Sequence, residues 1–202
     1  MKLKLALLPL VFVSLIAATQ DDWTPVTTKE GSLTLKFPAG WILADENDPK
    51  FKENREKIAR DNPKMAEMMK PRTDDAQILM MYDMNATQED GLATSMNVLK
   101  KSIPGLTVKM YGDLGKQILA TLPQQKGKSE YKTIDVSPVG KTLRYNATIE
   151  MKVEASTVTM DLVGYIFLKG EHTYITTFTA AEGKGKGRME AYEKILKTAK
   201  LQ

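Results

Sequence analysis

From Leu143 to Val153 the chain alternates without a break. Leu143, Tyr145, Ala147, Ile149, Met151 and Val153 share one parity, and Arg144, Asn146, Thr148, Glu150 and Lys152 share the other. Successive side chains of a strand point to opposite faces. The pattern therefore predicts a long strand with one face on a core and the other toward water or a partner. Such a strand needs antiparallel neighbours, and the flanking sequence supplies them. Glu154-Ala155-Ser156 turns the chain into a strand of about 157–168, and Lys169-Gly170-Glu171 turns it again into 172–179. The meander starts near Tyr131. After the glycine- and lysine-rich stretch Glu182 to Gly187 comes a terminal helix. Its apolar stripe is Met189, Tyr192, Ile195, Leu196 and Ala199, and Glu190/Lys194 and Glu193/Lys197 stand at i,i+4 spacing.

The other half of the chain mixes strands and short helices. Leu33, Leu35 and Phe37 alternate with Ser32, Thr34 and Lys36, a half-buried strand. Pro38 and Gly40 break it before the apolar run Trp41-Ile42-Leu43. Asp48-Pro49 and Asn62-Pro63 each pair a capping side chain with a proline whose missing N–H costs nothing in a first turn. They predict two helices, about 49–60 and 63–70, with Pro71 as the stop. Ala76 to Met84 is apolar on both faces and predicts a central strand. Thr87 with Asp90 has the spacing of a capping box, and Leu92, Met96 and Leu99 predict a helix to about Ser102. Asp113 is expected to cap a further short helix carrying Leu114, Ile118 and Leu122, closed by Pro123. Gln124 to Ser129 is expected to be a polar linker.

The first residues have a destination rather than a fold. Met1-Lys2-Leu3-Lys4 is basic, Leu5 to Ala18 is apolar apart from Pro9 and Ser14, and Asp21-Asp22 end the run. This is the pattern of a secretory signal peptide over residues 1–18, cleaved after Ala18 or Thr19. The run is shorter than the ~20 residues a spanning helix needs. Residues 19–202 are then one domain, carrying a methionine-rich helical insert at about 48–71. Export, to the periplasm or outside the cell, is the expected localisation. There is no cysteine in the 202 residues, so neither disulfides nor acylation of an N-terminal cysteine is available. Lysine and arginine number 29 against 25 acids. Lys2 and Lys4 leave with the signal, so the exported domain is nearly balanced. That gives no argument for nucleic acid or an anionic membrane as the main partner, and after signal removal no stable membrane span is expected.

A resemblance can be placed on two segments. A strand ending in Phe37-Pro38-Ala39-Gly40-Trp41, and a late strand Tyr174-Ile175-Thr176-Thr177-Phe178-Thr179 before a helix with Ile195-Leu196, resemble the PsbP-like family. That family includes extrinsic subunits of photosystem II, a nuclear-import factor and exported bacterial proteins of unknown role. Over about 30–200 the resemblance implies an α+β fold, an α/β/α sandwich with a central antiparallel sheet. The matching residues are strand ends, a turn and core aromatics, so no catalytic or binding residue is carried over. The insert between Trp41 and Ala76 lies outside the pattern.

Catalytic chemistry finds few carriers. The chain has one histidine, His172, beside the Gly170 turn, and it reads as an ordinary strand-end residue. No Gly-x-Ser-x-Gly, His-Glu-x-x-His, cysteine cluster or EF-hand loop is present. The Gly183-Lys184-Gly185-Lys186-Gly187 loop opens a helix and could cradle an anion, but it lacks the Gly-Lys-Ser/Thr ending of a P-loop and reads as a solvated connection. Asn85-Ala86-Thr87 and Asn146-Ala147-Thr148 match glycosylation sequons.

Methionine is the exception. Met65, Met68, Met69, Met80, Met81, Met84 and Met96 are seven of the chain's twelve. Three readings compete: an irregular core, an adaptable apolar groove formed by Met65, Met68, Met69, Met81 and Met84, or a soft-metal site for Cu(I) at Met65, Met68 and Met69. The absence of neighbouring histidines weighs against the metal. The leading expectation is an exported, non-enzymatic binding or assembly module with no cofactor, serving a protein partner or a small apolar ligand. A soft-metal or lipid carrier using Met65 to Met84 is the alternative, and a hydrolase with a carboxylate site comes last.

Overall fold

The computed structural model describes residues 22–70, 75–122, 124–153 and 156–202. The expected signal peptide and its cleavage point, the stops at Pro71 and Pro123, and the Glu154-Ala155 turn lie outside these residues.

Three strands open the described chain: β1 (Thr24–Thr27), β2 (Leu33–Phe37) and β3 (Trp41–Leu43). The helices α1 (Pro49–Asp61) and α2 (Pro63–Met68) follow, each begun as its capping pair requires. Asp48 Oδ1 accepts from Lys50 N at 2.8 Å, and Asn62 Oδ1 from Met65 N at 3.0 Å. Then come β4 (Gln77–Asp83), α3 (Met84–Asp90), β5 (Ser95–Ser102) and α4 (Tyr111–Thr121). The meander is β6 (Gln125–Val136), β7 (Gly140–Val153), β8 (Ser156–Lys169) and β9 (His172–Ala181). Helix α5 (Gly185–Leu196) and the short β10 (Lys200–Leu201) finish it.

Seven strands form the main sheet in the order β3-β4-β5-β9-β8-β7-β6, and every pairing in it is antiparallel. One face packs on α5 and on a small second sheet, β1-β2-β10. That layer is the largest core cluster, with Leu33, Leu35 and Phe37 of β2, Met96 and Val98 of β5, Tyr165 and Phe167 of β8, Phe178 of β9 and Tyr192 of α5. Phe178 stacks on Tyr192 with centroids 4.1 Å apart. The other face carries two separate helical covers. Helices α1 and α2 lie over the β3–β4 edge, around Phe51, Ile58, Met69 and Tyr82. Helix α4 lies over β6 and β7, around Tyr111, Leu143 and Tyr145. The result is the expected α/β/α sandwich on a central antiparallel sheet.

Several local expectations are corrected. Ser95–Ser102 is β5, and residues 92–94 lead into it without a helix. The helix comes earlier, as α3, because Asp83 Oδ1 accepts from Ala86 N at 3.1 Å and Gly91 ends the turn at φ 65°. Thr87 is therefore no cap; it is buried inside α3, and its Oγ1 accepts from Thr94 N at 3.0 Å. Leu92, Met96 and Leu99 have helical spacing, yet Met96 and Val98 are fully buried on one face while Ser95 and Asn97 take the other. Pairing with β4 and β9 decides between the two periods. Asp113 does not cap α4. It sits within the first turn of a helix that starts at Tyr111. The polar stretch 124–129 is the start of β6, an edge strand that needs no apolar face and is kinked where its register shifts around Gly127. The even-numbered face of β7 is only partly open to water: Thr142 is fully buried and Arg144 pairs with Glu193 of α5 at 2.7 Å, while Lys152 is exposed. Glu193 thus takes a partner other than Lys197, while Lys194 and Glu190 pair at 2.9 Å as their spacing predicts.

Candidate ligand groove

Two helical covers over seven strands leave the middle of one sheet face open. The open strip runs along β5 and β9. Register fixes what it displays: Met80 of β4 lies opposite Asn97 of β5, Asn97 opposite Thr177 of β9, and Ser95 opposite Thr179. Beyond β9, Leu162 of β8 lies opposite Thr179, and Met160 opposite Ile149 of β7. The strip becomes a groove because α2 ends above it on one side and α4 on the other. Met68, the last residue of α2, is held there by Tyr82, whose hydroxyl donates to the Met68 carbonyl at 3.2 Å. Leu122, at the end of α4, forms the facing wall.

The hollow has a volume of about 310 Å³. Its floor is polar and uncharged: Gln77, Ser95, Asn97, Thr177 and Thr179. Its walls are apolar and rich in sulfur, with Met68 and Met80 on one side and Met151 and Met160 on the other. Among the described residues no ionisable side chain lines it. Asn97 Oδ1 is buried there without a hydrogen-bond partner among the described residues. Thr177 Oγ1 is within hydrogen-bonding distance of the Tyr145 hydroxyl, at 3.3 Å, and burial raises that phenol's pKa. Unbranched thioether side chains suit such walls, since they re-pack around different shapes.

The methionines named from sequence are divided between environments. Met65, Met69 and Met84 belong to the core under α1 and α2, and Met81 faces the opposite side of the sheet, in the α5 layer. None of the four is more than 7% exposed. Met65 also lines a second hollow, beside Met68, Leu92 and Val158. Of the five groove candidates only Met68 lines the groove between α2 and α4; Met80, Met151 and Met160 complete it. Their signal in sequence is weak. Met80 stands in sequence with the methionine cluster and Met151 on the core face of its strand, and only strand pairing brings them to one place. For the soft-metal triad, Met65 and Met69 pack among Phe51, Ile58 and Tyr82, while Met68 turns to the groove. Among the described residues no group of three or more His, Asp or Glu side chains is placed to hold a metal ion.

The remaining candidates lie elsewhere. His172 is exposed at the start of β9, opposite Ser102 and Lys169. The glycine-rich loop does open a helix, but its N-terminus is already taken. Gly185 N donates to Asp161 Oδ2 at 2.9 Å, so a carboxylate of the chain itself occupies the place an anion would. Asp90 of α3 is held by Arg188 of α5 through both guanidinium nitrogens, at 2.5 and 3.1 Å, which ties the two helices together and engages both groups.

No family model and no curated protein matches this sequence. Solved structures do. LpqN of Mycobacterium tuberculosis, described as involved in cell envelope biogenesis, superposes with a TM-score of 0.51 at 11% identity, covering 89% of this chain and 90% of that one. The chain has a PsbP-like fold. Cyanobacterial PsbP from Synechocystis aligns over 89% of this chain and 92% of its own, at 10% identity and a TM-score of 0.47. The Saccharomyces cerevisiae Ran-binding protein Mog1p covers 89% and 95%, at 11% identity and a TM-score of 0.48. At these identities the likeness to PsbP-like structures extends to the fold alone.

Proposed function

We propose that this chain is an exported, non-enzymatic binding module of PsbP-like fold that holds a small, neutral, amphipathic ligand in the groove between α2 and α4. The reading rests on one observation: a hollow with a polar, charge-free floor and four methionine walls on an otherwise covered sheet face. A charged ligand would lose hydration there and find no counter-charge among the described residues. A neutral one can place its apolar body on the thioethers and its polar end on Asn97, Thr177 or Thr179. The volume is at the low end of small-molecule sites, so the ligand is compact or enters only in part. The basic start and short apolar run of residues 1–18 support export, and no helix among the described residues is long and apolar enough to cross a membrane.

Dye binding tests the proposal. The neutral dye N-phenylnaphthylamine should bind and brighten, and its anionic relative anilinonaphthalene sulfonate should bind at least about tenfold more weakly. Met80→Glu and Met160→Glu should each weaken the neutral dye by about tenfold or more, since they bury a charge against it. Met68→Leu and Met80→Leu nearly conserve volume and should leave binding intact. Neutral-dye binding indifferent to the glutamates, with the circular dichroism unchanged, would remove the groove from consideration. A tight Cu(I) site lost on Met→Leu replacement at Met65, Met68 or Met69 would put soft-metal handling in its place.

A further inference from the structure

Among the described residues four large apolar side chains stand exposed, and three of them fall within eight residues: Ile103 at 37%, Val108 at 40% and Met110 at 48%. All three lie in the connection from β5 to α4. Two tight turns keep that connection compact, with Leu106 N donating to the Ile103 carbonyl at 3.2 Å and Met110 N to the Thr107 carbonyl at 3.0 Å. With Leu168, Gly170 and Glu171 of the β8–β9 turn it encloses a shallow hollow of about 420 Å³. Lysines border these side chains. Lys101, Lys109 and Lys169 are exposed, and Glu171 is the one carboxylate on segments 101–110 and 169–172. Three neighbouring lysines have carboxylate partners: Lys100 with Glu30 at 2.7 Å, Lys141 with Asp135 at 3.2 Å, and Lys116 with Asp113 at 3.9 Å. His172 is exposed beside Glu171.

We propose that this end of the sandwich docks on an anionic lipid bilayer, with Ile103, Val108 and Met110 entering the headgroup layer and Lys101, Lys109 and Lys169 against its negative charge. Apolar side chains that reach the interface and lysines that meet anionic lipid act together in peripheral binding. The patch is too small for a stable protein interface, which takes about 20–30 residues a side. A second copy of the chain would bring a face of the same positive sign. The strand register also separates this surface from the groove: the loop leaves β5 at Ser102, opposite His172, whereas the groove floor is at Ser95 and Thr179. Docking would leave the groove free, and the two proposals stand or fall separately.

Flotation with vesicles tests it on the full chain. Vesicles of phosphatidylcholine with a quarter phosphatidylglycerol should bind at least about tenfold more chain than phosphatidylcholine alone. Val108→Asp with Met110→Asp, and separately Lys101→Gln with Lys109→Gln and Lys169→Gln, should each reduce binding to the anionic vesicles about tenfold. Because the apolar residues 5–18 can bind lipid themselves, Met110→Trp gives a reading of the loop alone. Its fluorescence should be quenched by brominated lipid in anionic vesicles, beyond the background from Trp23 and Trp41 in the unsubstituted chain. Quenching no greater than that background, or binding unchanged in both sets of variants, would overturn the proposal.

Discussion

A carboxylate that is only 8% exposed has to be held by donors, and Asp161 has two: Thr148 Oγ1 at 2.8 Å and Gly185 N at 2.9 Å. The second bond also satisfies the first turn of α5, which has no side-chain cap from its own N-cap residue. Asp161→Ala would leave that N–H buried and unpaired. It should cost about 2–4 kcal/mol, read as a urea midpoint shift. Thr148→Ala should cost about 1–2 kcal/mol by removing one charge-assisted bond. The alternation in β7 alone predicts a near-neutral Thr148, because it reads even-numbered residues as facing water or a partner; the cross-strand carboxylate is what the pattern does not contain. The odd-numbered face is legible. Ile149 is 5% exposed beneath the α2–α4 side, and Ile149→Ala should cost about 2–4 kcal/mol. A Thr148→Ala shift as large as that of Ile149→Ala would mean the Asp161 bond carries more than one hydrogen bond's worth of stability.

At the scale of elements, what sequence conveys depends on how much of an element's environment is local. Helices α1 and α2 are announced by Asp48-Pro49 and Asn62-Pro63 because caps act within three residues. Strand β5 is hidden because Leu92, Met96 and Leu99 also suit a helix, and only pairing outside the segment decides, with β4 across α3 and with β9 far along the chain. The first half of edge strand β6, before Tyr131, is hidden for the opposite reason: solvated and irregularly paired, it has no apolar period to display. The groove inherits both difficulties, since its floor is mainly β5 and β9 and its walls come from β4, β7, β8 and two helix ends. Cross-strand packing yields a prediction of its own. Gly164 of β8 lies opposite Tyr145 of β7, and the ring covers it so closely that a Cβ at 164 would fall within the ring. Gly164→Ala should therefore displace Tyr145 and destabilise by about 1–3 kcal/mol. Tyr145→Leu combined with Gly164→Ala should recover part of that loss, and a double-mutant cycle in urea would show the coupling. Additive effects would mean that the ring moves aside freely.

Across the whole molecule, both layers of the sandwich are closed with buried phenols. Tyr111 of α4 packs in one cluster with Tyr145 of β7, and Tyr192 of α5 in the other with Tyr165 of β8. Burial lifts all four above the ordinary value near 10, Tyr111 and Tyr192 to about 12. The sign of the consequence follows from proton counts. Below pH 10 the folded and unfolded chains both keep these protons. Between about 10 and 12 the unfolded chain releases them first, so the folded chain binds more protons and stability falls as pH rises. The stabilisation is thus fully present at neutral pH and is lost through the alkaline window. Urea midpoints should be level from pH 7 to about pH 9 and then decline, with tyrosinate absorbance rising in step with unfolding rather than ahead of it. Lysine deprotonation would also weaken the surface ion pairs in this range, so the phenols must be isolated. Tyr111→Phe and Tyr192→Phe keep the rings and remove the titrating groups, and each should flatten part of the decline. Slopes identical to the unsubstituted chain would assign the alkaline loss to the lysines. A flattened slope in both variants would place it in the two layers of the sandwich at once.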